Sequence, residues 1–187
     1  MTDRKDRIME FTTRYTDRTD LIIGLFRATF TDSEGAAEGD VIARLVADMF
    51  ATVDAADIFV VAALEDGSIV ATAIFTRLSY PEDARTVFIL SPMAVATGRQ
   101  GQGLGQNLLN HGLNALRGHG VDVVLTYGDI NFYSRVGLAP ITERIAKAPL
   151  PLQYPEGWLG QSLTGAPLDP LRGPSHCVSA LDNPAYW

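Results

Sequence analysis

Two apolar spacings alternate along the chain. Leu21, Ile22, Leu25, Phe26 and Phe30 share one helical face, and the same spacing returns at Val41, Ile42, Leu45, Val46, Met49 and Phe50; this predicts two amphipathic helices. Asp17 and Asp20 suit the start of the first. Between the two helices, TDSEGAAEGD is acidic and carries glycine, so it reads as a solvated loop. Ile8 to Tyr15 fits a short leading strand. After the helices the period changes: IFVVAAL and IVATAIFTRL flank EDGS, whose Asp66-Gly67 pair predicts a tight hairpin between two antiparallel strands.

A third β-branched and aromatic run, Thr86 to Val95, contains Pro92, which cannot donate to a ladder. The strand therefore ends at Leu90 or is disrupted there. From Leu104, the stripe Leu108, Leu109, Leu113 and Leu116 predicts a helix stopping at Gly118 or Gly120, with His119 in the last turn. VDVVLTY follows as a strand, then GDINFYSRVG, where Asp129 can cap a short helix ending at Gly137. Strand, glycine-rich loop, helix and strand in that order make a βαβ unit and imply a parallel pair. Seven of the ten prolines and both tryptophans occur from Pro149 onward. Proline at that density prevents long regular elements, but Leu150, Leu152, Tyr154, Trp158, Tyr186 and Trp187 carry too much apolar surface for a free tail. Residues 146–187 are expected as a wrapped extension, with a last strand near His176 to Leu181, on a core of about residues 7–145; the whole is read as one domain.

Composition narrows the function classes. The chain has 187 residues, 47% hydrophobic and 20% charged, with a formal charge of −7. That balance is ordinary for a folded soluble domain. It argues against nucleic acid or an anionic membrane as main partner, because both reward a basic face. The start, MTDRKDRIME, has no apolar core of a secretory leader, and the single cysteine, Cys177, fits a reducing compartment; the expected location is cytoplasmic.

The stretch GRQGQGLGQNLL, Gly98 to Leu109, holds four glycines and three glutamines with no lysine or acid. Between a strand and a helix, such a loop presents unpaired N–H groups at the positive end of the helix dipole, an anion site without a charged side chain. The dinucleotide fingerprint fails for want of a third glycine, and the phosphate-loop pattern for want of Lys-Ser/Thr; both count against a nucleotide-binding domain. Read as Q-x-x-G-x-G, Gln100 to Gly105 resembles the acetyl-CoA motif of the GNAT N-acetyltransferase superfamily. GDINFYSRVGL, Gly128 to Leu138, is similar to a segment of that superfamily's YhbS-like branch, departing at Ile130, Val136 and Leu138, where the branch commonly has proline, phenylalanine and phenylalanine.

The resemblance implies an α/β (α+β) fold: a mixed, mostly antiparallel sheet with a central, splayed parallel pair and helices on both faces. It implies an acetyl-CoA-dependent N-acetyltransferase in which a primary amine attacks the thioester directly. The strand would break near Pro92, leaving Met93, Ala94 and Val95 to pair with the pantetheine arm, and a backbone N–H near Ala94 or Val95 to meet the oxyanion. The amides of Gln100, Gly101, Gln102, Gly103, Leu104 and Gly105 would hold the pyrophosphate, with Arg99 as a salt partner and Leu104 packing in the core. Tyr133 falls where the superfamily places a tyrosine general acid. A non-catalytic acyl-CoA-binding module would keep the loop and not need Tyr133.

The base is not legible: Glu34, Glu38, Asp129, His176, Asp182 and water are all candidates. Asp129 is better explained as a cap, Glu34 and Glu38 as surface charges and His176 as a strand histidine. His111 and His119 have no carboxylate at ligand spacing, so no metal is expected. Cys177 reads as a buried strand residue. The acidic composition favours a cationic acceptor such as a polyamine, an aminoglycoside or a lysine side chain. Oligomeric state is left open, a homodimer included.

Overall fold

Alternation along the strands divides the apolar side chains between the two faces of one seven-stranded sheet, in the order β1-β2-β3-β4-β5-β7-β6. The computed structural model describes residues 8–187; residues 1–7, on which the leader-free reading of the N-terminus partly rests, lie outside the described residues. The strands are β1 (Met9–Thr12), β2 (Ile58–Glu65), β3 (Ser68–Arg77), β4 (Val87–Val95), β5 (Val123–Tyr127), β6 (Ala139–Pro140) and β7 (Trp158–Ser162). The helices are α1 (Thr19–Glu34), α2 (Ala36–Thr52), α3 (Leu104–Gly118) and the single turn α4 (Ile130–Tyr133). Ile22, Phe26, Val46 and Met49 of α1 and α2 bury against Val60, Ile74, Ile89 and Leu125 on one face. Leu108, Leu109, Leu113 and Leu116 of α3 bury against Val61, Phe75, Leu90 and Val124 on the other. All the neighbouring strand pairs are antiparallel except β4 with β5. The sheet is thus mixed, with one central parallel pair and helices on both faces.

The hairpin forms at Asp66 and Gly67, both at positive φ, the geometry that lets a two-residue turn match strand twist. Other expectations shift. The leading strand spans only Met9–Thr12. The start of α1 has Arg18 at the cap position with no side-chain cap bond, so Asp17 does not cap it; Asp20 does fall in the first turn, and Leu21 is 62% exposed. The predicted loop 31–40 is mostly helix. α1 runs to Glu34, Gly35 turns at φ 99°, and α2 begins at Ala36. The alanines and glutamates of that stretch favour helix, and Gly39 lets the two helices close, since a Cβ there would meet Arg27 O at 2.7 Å.

The proline-rich C-terminal part departs most. No strand forms at 176–181. His176 makes an isolated bridge with Ser79, a 3-10 turn covers Ser179–Leu181, and Cys177 between them is half-buried. Burial lifts the Cys177 thiol above its ordinary pKa, and the Asp182 charge adds to this. Neither β6 nor β7 is foreseen from the sequence; β7 lies between β5 and β6 and carries the fully buried Trp158. Trp158 Nε1 donates to Ala146 O at 2.8 Å, and Trp187, 3% exposed, packs against Trp158 and Tyr127.

Asp83 ties this segment to the β3–β4 connection. Its carboxylate accepts from Arg85 Nε at 2.9 Å, Arg85 Nη2 at 2.8 Å and the Arg172 N–H at 3.0 Å. The Arg85 hydrogen bonds outweigh desolvation and hold its carboxyl well below the ordinary 3.8. A depressed folded-state pKa stabilises above the unfolded value and is lost as pH falls below it. Asp83→Ala is expected to cost about 3 kcal/mol at pH 7, and the difference in denaturation midpoint between the two proteins should shrink as pH falls below 3.8.

Candidate functional site

Side-chain parity along β4 locates the break. Val87 and Ile89 face the α1/α2 side, with Phe88 and Leu90 on the α3 side; beyond Pro92 it is Ala94 that faces α1/α2, and Met93 and Val95 that face α3. One extra residue produces this inversion. β3 pairs Phe75 with Leu90 but Ala73 with Met93, so Ser91 and Pro92 together oppose Ile74. β5 accompanies β4 only as far as the Leu90–Thr126 rung, where Thr126 Oγ1 donates to Leu90 O at 2.9 Å. Past that rung, the edge of β4 facing β5 has no strand beside it.

Register decides which backbone groups that edge offers. The Ala96 N–H donates to Val70 O at 2.8 Å, so alternation puts Ala94 in the next hydrogen-bonded pair, with Thr72. Ala94 is thereby spent on the ladder. Met93 and Val95 turn their N–H and C=O groups away from β3, and Gln100 Nε2 reaches back to Val95 O at 3.0 Å. Of Ala94 and Val95, it is therefore Val95 that turns its N–H to the open edge, together with Met93.

The glycine loop opens the same space from the other side. Thr97–Arg99 forms a 3-10 turn, and the Gln100 N–H points at Thr97 O at 3.4 Å. Among the described residues, no acceptor lies on the amides of Gly101 to Gln106. Gly101 at φ 71° and Gly103 at φ 77° adopt the left-handed turn that aims these N–H groups outward at the start of α3. Gly105 serves proximity instead, since a Cβ there would lie 3.0 Å from Phe132 Cζ and 3.1 Å from Met93 Cε. Leu104 packs in the core at 7% exposure. Arg99 is engaged by Glu65, with Nη2 to Oε2 at 2.5 Å and Nε to Oε2 at 2.9 Å. Gln102 sends its side chain back to Gly98 O and lines a separate hollow with Phe11 and Glu65.

Met93, Ala94, Val95, Arg99, Gln100, Gly101, Gly103, Leu104 and Gly105 all line one cavity of about 480 Å3, and Tyr133 lines it too. Its remaining walls include Thr29, Phe30, Ser33 and Glu34 of α1, with Phe132 and Arg135. Of the candidate bases, Glu34 is on this wall, whereas Asp129 caps α4 by accepting from the Asn131 N–H at 2.9 Å. Glu38, His176 and Asp182 are not among the lining residues. Sequence reading named Glu34 on the α1 wall but missed Thr29, Phe30, Ser33 and Arg135. Arg135 lay inside the segment quoted above, but Thr29 and Ser33 carry no local signal, because what brings them to the cavity is the packing of α1 across β3 and β4.

Tyr133 is half-buried, its ring edge-on to Phe132 at 5.1 Å. Burial raises its phenol pKa above 10; the Thr126 hydroxyl opposes this and the Asp129 charge reinforces it. The phenol thus keeps its proton at neutral pH and is a donor. Gly128 is the reason the ring fits, since a Cβ there would lie 2.8 Å from Tyr133 Cε2. Among the described residues, no group of His, Cys, Asp and Glu is placed to hold a metal, and no helix is long and apolar enough to cross a membrane. His111 stacks on Phe11 and His119 lies edge-on to Phe59, each at 5.3 Å.

Free amides, left-handed glycines and an unaccompanied strand edge on one cavity suit an extended ligand with an anionic segment and an amide-bearing arm. The model of the Acetyltransferase (GNAT) family matches residues 20–138. The uncharacterized N-acetyltransferase YjhQ of Escherichia coli K12 is 30% identical over 177 residues, which cover 91% of this chain and 94% of that protein. Among solved structures, the Escherichia coli GNAT N-acetyltransferase YhbS in complex with CoA superposes with a TM-score of 0.75 at 20% identity, over 95% of this chain and 92% of that one. A Brucella melitensis GNAT acetyltransferase in complex with acetyl-CoA gives 0.68 at 22% identity, over 94% and 99%.

Proposed function

Since the chain belongs to the GNAT acetyltransferase family, we propose that it transfers the acetyl group of acetyl-CoA to a primary amine by direct attack within a ternary complex. One observation carries this reading: the unpaired amides of Gly101 and of Gly103 to Gln106 open on the same cavity as the broken edge of β4 and the protonated Tyr133. The amides take the pyrophosphate, and no charged side chain is needed beside it because the helix dipole and N–H groups supply the positive potential. Arg99 serves as a strut, its charge already met by Glu65. The outward N–H and C=O groups of Met93 receive an amide group of the pantetheine arm as an added strand would.

Acetyl-CoA supplies an activated acyl carbon and a thiol leaving group; the chain's residues handle charge and protons. An amine with a pKa near ~10.4 arrives mostly protonated and must lose one proton before it attacks. Glu34, the carboxylate on the α1 wall, receives that proton directly or through water. As the C–N bond forms, the Val95 N–H meets the charge growing on the carbonyl oxygen. As the C–S bond breaks, the Tyr133 phenol gives its proton to the sulfur, and the second amine proton returns the tyrosine to its starting state through solvent.

The test has two arms. Calorimetry is expected to show saturable association of CoA, and a panel of primary amines should include one that releases free thiol from acetyl-CoA. Binding without turnover on any amine would leave an acyl-CoA-binding module; absence of binding would overturn the reading.

A further inference from the structure

Thr29, Phe30, Ser33 and Glu34 of α1 and Arg99, Gln100 and Gly101 of the turn between β4 and α3 line one cavity. Two residues that do not line it join these walls: Thr97 Oγ1 donates to Asp32 Oδ2 at 2.6 Å. Asp32 falls in the last turn of α1, between the wall residues Phe30 and Ser33, and Thr97 opens the 3-10 turn that leads into the glycine loop.

Among the described residues, this is the one hydrogen bond that ties α1 to the sheet or to its connections. Elsewhere the helix meets the sheet through apolar side chains such as Ile22 and Phe26. Hydroxyls buried in that layer add no tie. Thr29 is 7% exposed, Thr72 and Thr76 of β3 share the face of Ile74, and none of the three hydroxyls has a hydrogen-bond partner among the described residues. Apolar contact is non-directional, whereas an O–H···O− bond of this length is charge-assisted and aims both groups. Both side chains are exposed to solvent, so the bond contributes to placement more than to global stability.

We propose that Asp32 and Thr97 are a positioning pair through which the bound cofactor sets the acceptor wall. This rests on the acetyltransfer reading above. CoA, held on the amides of Gly101 and of Gly103 to Gln106, immobilises the turn that Thr97 begins. Thr97 holds Asp32, and Asp32 holds the last turn of α1 with Phe30, Ser33 and Glu34 on it. An order of events follows: the wall that receives the amine takes its final place after the cofactor is bound. By linkage, an amine on that wall tightens the hold on the cofactor by the same factor. Neither Asp32 nor Thr97 touches the reacting atoms; both act through Glu34 and its neighbours.

Hydrogen exchange read by mass spectrometry tests this without an acceptor. With CoA at saturation, as fixed by calorimetry, amides 30–34 are expected to exchange about fivefold more slowly than in the free protein, the low end of a coupling between two sites. Thr97→Val keeps the branched side chain and removes the donor, so this slowing should vanish while CoA still protects the first turn of α3. Thr97→Ser and Asp32→Asn keep a donor and an acceptor and should restore it. On an amine that is turned over, Thr97→Val should raise the acceptor KM about fivefold, while the affinity for CoA alone changes much less. Slowing that persists in Thr97→Val, or amides 30–34 that do not slow in the wild type although CoA binds, would overturn the inference and leave acetyl transfer standing. Faster exchange along all of α1 in Thr97→Val, with and without CoA, would make the bond merely structural and overturn it too. If CoA does not bind, the acetyltransfer reading falls and takes this inference with it.

Discussion

Tyr133→Phe is expected to lower kcat for acetyl transfer about 100-fold, the scale of one general acid, while calorimetric binding of CoA survives. The substitution removes one oxygen and keeps the ring, so the edge-on contact with Phe132 and the fit against Gly128 persist. Thr126 keeps its bond to Leu90 O and the last rung of the parallel pair is untouched. Because burial raises the phenol pKa above 10, deprotonation of Tyr133 should impose no falling limb on the wild-type kcat profile below that pH. A variant as fast as wild type on every acceptor would take Tyr133 out of the mechanism, and the thiolate would then leave unprotonated or be protonated by water.

Gly105→Val should weaken CoA binding about 100-fold, the equivalent of about 3 kcal/mol of overpacking. A Cβ at this position already stands 3.0 Å from Phe132 Cζ, 3.1 Å from Met93 Cε and 3.3 Å from Val95 Cγ2, and the two further methyls have no space. The first turn of α3 must move off β4 and carry its free amides with it. Gly105→Ala asks only for a few tenths of an ångström from a methionine end and a ring edge, so it should bind CoA more nearly like wild type. Calorimetry on the two variants checks the ordering. Unchanged affinity in Gly105→Val would mean that the α3 amides do not grip the cofactor.

The features legible in advance were those whose cause lies within a few residues. Asp66-Gly67 makes its turn because both residues tolerate positive φ; Asp129 caps α4 because its carboxylate reaches the amide two residues on; the leucine stripe of α3 declares which face is buried. The resemblance built on Gln100 to Gly105 and Gly128 to Leu138 reached the family because those glycines answer local demands, a left-handed turn at Gly101 and Gly103 and room for the Tyr133 ring at Gly128.

What escaped sequence reading is set by partners far along the chain. Gly39 against Thr31 and Arg27 turns an apparent loop into a helical corner. Trp158 looks like one more residue of a proline-rich tail until β5 is beside it, and His176 to Leu181 finds no neighbouring strand edge to complete. The same holds at the cavity. Arg99 is directed by Glu65, thirty-four positions earlier, and whether Ala94 or Val95 offers its N–H depends on the register against β3.

By itself, then, the sequence determined the order of strands and helices as far as α4, the hairpin, the glycine turn before α3 and the tyrosine that shares its cavity, since each follows from local conformational preference and apolar period. Only the tertiary structure decided which N–H groups stay free, which charges are already satisfied, and that α1 walls the cavity that Tyr133 lines. Those outcomes depend on strand register and interhelical contact, and a one-residue slip in either would exchange the buried groups for the exposed ones.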